Sequence, residues 1–108
     1  MKDEIQKYFD SLIANYDDWQ ENTVQLGGAE IAARMIASFK ANSRIDFGSK
    51  YAKIVLNNSA HSFVVLSGND KKFKKGDILK SASWAAPARN FSRGNVFNGI
   101  LPNRWSGI

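Results

Sequence analysis

The chain has 108 residues, no cysteine and a formal net charge of +5, a length that suits one domain with a single modest core. The lack of cysteine excludes disulfides, thiolate metal sites and thiol catalysis. An apolar fraction of 44% beside 23% charged residues excludes a disordered chain.

The charge is unevenly divided. Residues 1–30 hold seven acids against two bases, whereas residues 31–108 hold thirteen bases against three acids, Asp46, Asp70 and Asp77. That split predicts a basic working surface in the later part and an anionic partner, of which nucleic acid is the commonest. No apolar run approaches the roughly 20 residues of a membrane span. The opening MKDE has no apolar stretch of the signal-peptide kind. The expectation is a soluble cytoplasmic protein without membrane contact.

Residues 2–20 read as an amphipathic helix, because Ile5, Tyr8, Phe9, Leu12, Ile13, Tyr16 and Trp19 recur at spacings of three and four. Asp3 and Glu4 fall in its first turn, where the helix dipole favours negative charge. Gly27 and Gly28 then interrupt the pattern, and a second helix follows over 29–41, with Ile31, Met35 and Phe39 four apart. Asn42 and Ser43 close it, which makes a helical hairpin of residues 1–42. After Gly48 the period changes to two. Residues 50–56 place Ala52, Ile54 and Leu56 on one face of a strand and Tyr51, Lys53 and Val55 on the other. Asn57, Asn58 and Ser59 supply a turn into a second strand over 61–67, and a third runs through 77–80. Ser83 is placed to cap a short helix over 84–92, with Pro87 in its first turn and Gly94 as a left-handed stop. Residues 95–108 read as an irregular arm held by Val96, Phe97, Ile100 and Trp105. The fold class is therefore α+β: an N-terminal helical hairpin on an antiparallel sheet of about three strands, with a basic part over 48–108. The chain reads as a single domain throughout.

Two constellations carry binding chemistry. Lys71, Lys72, Lys74 and Lys75 surround Phe73, the pairing of phosphate contacts with a stacking ring that single-strand binders use. The plain reading is a solvated lysine-rich turn that guards strand edges. Arg89 and Arg93 are four apart, so on a helix they share a face, and guanidinium forks suit phosphate. Lys53 could assist from the sheet. Trp84 reads as a core anchor. His61, the single histidine, has no accompanying ligands for a metal and no nucleophile-elbow pattern for a triad, so it reads as a strand-edge residue. Asp17, Asp18 and Glu21 read as a solvated acidic helix face. No catalytic set, cofactor loop or metal site is expected.

One stretch is distinctive: GDILKSASWAAPAR at 76–89, followed by RGNVF at 93–97, with GSKY at 48–51 and HSFV at 61–64 upstream. It resembles a group of small bacteriophage- and plasmid-encoded proteins of uncharacterised function. The likeness covers roughly residues 48–97 and leaves the acidic helices outside. It implies a mobile-element origin and an accessory protein made in the host cytoplasm, and it transfers no catalytic residue. The leading expectation is a non-enzymatic nucleic-acid-binding protein that contacts phosphate through Lys71, Lys72, Lys74, Lys75, Arg89 and Arg93. Its rivals are a module that engages or inhibits a host protein and a virion component. The apolar stripe of helix 2–20 also suggests a homodimer, which would set two basic patches on one particle.

Overall fold

Ile5, Tyr8, Leu12 and Tyr16 form the buried seam of helix α1 (Lys2–Thr23) in the computed structural model, which describes residues 1–23, 28–99, 101, 102 and 104–108. The helix runs three residues beyond its expected end. Glu4 in its first turn meets the N-terminal ammonium at 2.9 Å. The break expected at Gly27 lies outside the described residues; Gly28, at φ +80°, begins α2 (Gly28–Ala41). The Phe39 ring stacks on Tyr16 at 3.7 Å between centroids, and Lys40 reaches Asp17 at 3.1 Å, so the helices form the expected hairpin. Asn42 Nδ2 and Ser43 Oγ donate back to the carbonyls of Ser38 and Phe39, closing α2 where the sequence predicts.

Among the described residues, five strands follow as an antiparallel meander in the order β1-β2-β3-β4-β5: β1 (Arg44–Phe47), β2 (Tyr51–Leu56), β3 (Ser59–Val65), β4 (Asp77–Lys80) and β5 (Gly94–Asn95). Asn57 and Asn58, at φ 50° and 64°, join β2 to β3 in the two-residue turn that favours positive φ at both positions. The two additions to the expected sheet are its short edges, β1 and β5. The Arg-Ile-Asp-Phe of β1 does alternate, but over only four residues beside the end of α2, and the two residues of β5 are too few to show any pattern.

The faces divide as the period-two pattern predicts. Ala52, Ile54 and Leu56 join Val64, Ile78 and Val96 against the seam of α1 in the main core. Tyr51 turns to the other side, where Val65, Phe73 and Leu79 form a second, smaller core. No helix covers that outer side among the described residues.

Three expectations are corrected. There is no helix over 84–92. Pro87 bridges back to Ser81, Ala82 and Ser83 both donate to the carbonyl of Ala86, and Ala88 donates to that of Lys80. A proline disfavours helical backbone at the residue before it, and the pairing of Pro87 and Ala88 back onto Ser81 and Lys80 outweighs the helical spacing of Trp84, Ala88 and Phe91, so the stretch folds as a loop over the outer side. Gly94 is not a left-handed stop; it pairs with Ile78 in β5. His61 is not at a strand edge. It is the extra residue of a bulge on the central strand, because Val55 faces Ala60 while Ile54 faces Ser62.

The bulge turns His61 inward. Its Nε2 donates to the carbonyl of Arg104 at 2.8 Å, which leaves Nδ1 to accept from Ser62 Oγ, and Tyr8 donates its hydroxyl proton to Ser62. This chain ties helix, sheet and C-terminal arm together. Burial pushes the His61 pKa below 6.5 and the Tyr8 hydroxyl pKa up. The arm is held further by Trp105, whose backbone N–H donates to Asn15 and whose ring packs edge-on against Tyr16. Val96 is buried as expected and Phe97 is half exposed; Ile100 lies outside the described residues.

Candidate nucleic-acid interface

The lysine loop is built around Asp70. Its Oδ1 accepts the backbone N–H groups of Lys72 and Phe73, each at 2.9 Å, an aspartate turn that fixes the loop's path. Both carboxylate oxygens also accept from Arg89 Nη2, at 2.9 and 3.0 Å. Arg89 and those two amides hold the Asp70 carboxyl well below the usual carboxylate range, and Asp70 raises Arg89 in turn. Arg89 Nη1 donates to the Tyr51 hydroxyl, and Lys72 Nζ donates to the Arg89 carbonyl at 2.6 Å. One guanidinium thus joins strand β2, the lysine loop and the loop after β4.

This geometry reassigns several expected contact residues. Phe73 does not serve as a stacking ring: it is 5% exposed, in the outer core beneath Arg89 and Lys72. Arg89 and Arg93 share no helix face. Arg89 is engaged by Asp70, whereas Arg93 lies 4.0 Å from the centre of the exposed Phe91 ring. Lys71, Lys74 and Lys75 stand exposed, with no ion pair among the described residues.

Trp84 is the residue the sequence reading misplaced. It is 48% exposed, at the turn of the loop after β4. Lys53 Nζ sits 3.8 Å from the centre of its ring and donates to its carbonyl at 3.2 Å, and the Arg44 guanidinium is 5.9 Å away. Cations placed over an indole face are attracted to it. Lys53 is therefore brought together with Trp84, and Lys72 with Arg89. A sequence signal existed: Trp84 has no apolar partner three or four positions ahead except Ala88, poor company for a core anchor.

Two open hollows lie along β2. One, of about 400 Å³, is bounded by Asp46, Lys53, Phe63 and Ala85; the other, of about 490 Å³, by Asn69, Asp70, Lys71 and Arg89. Lys50 and Tyr51 line both, so the two hollows are neighbours along the strand. Among the described residues, no group of three or more His, Cys, Asp or Glu is placed to hold a metal ion, and no helix is long and apolar enough to cross a membrane.

The chain matches a family model described as "Family of unknown function (DUF7717)" over residues 1–101. No curated protein and no solved structure matches the chain. The matched region takes in both helices, a wider reach than the resemblance over residues 48–97. With almost its whole length inside that match, the chain belongs to the DUF7717 family.

Proposed function

We propose that the chain is a non-enzymatic nucleic-acid-binding accessory protein that works from the outer side of its sheet. The observation that carries the reading is the fate of the three acids in its basic part. Asp46 pairs with Arg44 at 2.9 Å, and Asp70 is enclosed by Arg89 and two backbone amides. Asp77 accepts from the Lys74 N–H at 2.8 Å and from Asn95 at 3.0 Å. Each carboxylate is drawn into local structure, while Lys50, Lys71, Lys74 and Lys75 stand exposed. A surface of that kind attracts a polyanion.

The likeness of segments 76–89 and 93–97 to phage and plasmid proteins supports a mobile-element origin and action in the host cytoplasm. Dimerisation through α1 has modest material. Ile5, Tyr8, Leu12 and Tyr16 are buried within one chain, which leaves Trp19 and the half-buried Phe9 and Ile13 for a partner copy.

An anisotropy titration against single- and double-stranded DNA and RNA tests the proposal. Binding at about 50 mM salt that weakens steeply as salt rises supports it, because each neutralised phosphate releases counterion. No binding at that salt removes it. A stoichiometric host protein retained from nuclease-treated lysate, without any affinity for nucleic acid, would favour the protein-interaction reading instead.

A further inference from the structure

The groove along β2 has a direction and a composition that select among nucleic acids. Beside one end, next to the lining residues Lys53 and Ala85, stands Trp84, half exposed and with Lys53 over one face of its ring. At the other stands the exposed Lys71, with Lys50 between them on the shared floor. The two acids on its margins, Asp46 and Asp70, are already paired with Arg44 and Arg89. Lys50, Lys53 and Lys71 therefore face the groove with no ion pair among the described residues.

We propose that this groove binds single-stranded nucleic acid, with an unpaired base stacked on Trp84 and the adjoining phosphates carried past Lys53 and Lys50 to Lys71. The inference rests on the nucleic-acid reading above and narrows it. Three features favour a single strand. An indole offers a stacking plane only to a base whose own face is free, which the bases of a duplex are not. Hollows of about 400 and 490 Å³ in series admit nucleotides one at a time, and neither can seat a double helix. The ring is also held in place before any ligand arrives, since Lys53 grips its carbonyl as well as its face. A pre-set stacking platform loses little side-chain freedom on binding.

The test is an anisotropy titration of labelled oligothymidylate, oligouridylate and a matched duplex, using the whole chain and three variants. The wild type binds one or both single strands more tightly than the duplex; the two single-strand arms separate DNA from RNA as the source. Trp84→Ala weakens single-strand binding about tenfold or more while leaving the salt slope unchanged, because it removes stacking and no charge. Trp84→Phe retains most of the affinity. Lys71→Ala lowers the salt slope by about 0.7, as expected for one phosphate contact on a single strand. Equal or tighter duplex binding, or a Trp84→Ala variant with undiminished single-strand affinity, overturns the inference and leaves nucleic-acid binding standing. Loss of all binding in the wild type overturns both. Circular dichroism of each variant confirms that the fold persists.

Discussion

The two sides of the sheet solve different problems with the same strands. The inner side meets a long helix. It is apolar apart from the Tyr8–Ser62–His61 chain, in which every polar group has a partner. Among the described residues the outer side meets only loops, and a small core of Val65, Phe73 and Leu79 supports them from below. Above that core the contacts are ionic and cation–aromatic: Asp70 with Arg89, and Lys53 with Trp84. Stability should therefore reside on the inner side, and the outer side should tolerate change in its exposed groups while depending on them for binding.

The sharpest contrast comes from paired truncations. Leu12 is fully buried against the sheet, and Leu12→Ala should cost about 2–5 kcal/mol in denaturant unfolding. Trp84→Ala should cost about 1 kcal/mol, because the ring is half exposed and gives up chiefly its contact with Lys53. Equal losses would erase the distinction between the sides.

A smaller effect is expected where the outer loops are tied to the sheet. Gly76 sits at φ +91°, and an added Cβ would lie 2.5 Å from the Phe97 ring. Gly76→Ala should cost about 1–2 kcal/mol, mostly from the backbone, since the exposed Phe97 can swing aside.

Acid separates the sides without mutation. The folded state holds His61 below 6.5, so the unfolded chain takes up a proton first as pH falls. Stability should decline once pH drops below 6.5, and a His61→Gln variant should lack that decline in thermal melts. Asp70 acts at lower pH. Its folded value lies below 3.8, so its contribution is present above that pH and disappears as pH falls further. The loss there should be smaller and salt-sensitive, because the pair with Arg89 is partly exposed.

What could be read in the sequence was what periodicity encodes. The seam of α1, the end of α2, the central strands and the Asn57–Asn58 turn each carry a local signal, and each appears near its expected place. The outer side follows other rules. Residues 83–93 carry Ser83, Pro87 and two arginines, Arg89 and Arg93, at helical spacing, yet their conformation is set by long-range partners at Asp70, Tyr51 and Lys80 that no window of sequence contains. Phe73 and Trp84 exchanged roles for the same reason. A ring among lysines became core because the strands place a small apolar cluster beneath it, and a ring among alanines stayed exposed. His61 turned inward through a one-residue bulge, which shifts no composition and leaves no pattern.

Binding belongs to the outer side of the sheet and structure to the inner. Amide chemical-shift mapping tests this directly, by adding a short oligothymidylate to isotope-labelled protein at low salt. Shifts should be confined to residues 50–53, 71–75 and 84–93, with α1 and α2 unmoved. Shifts concentrated on the two helices, or none at saturating oligonucleotide, would contradict it.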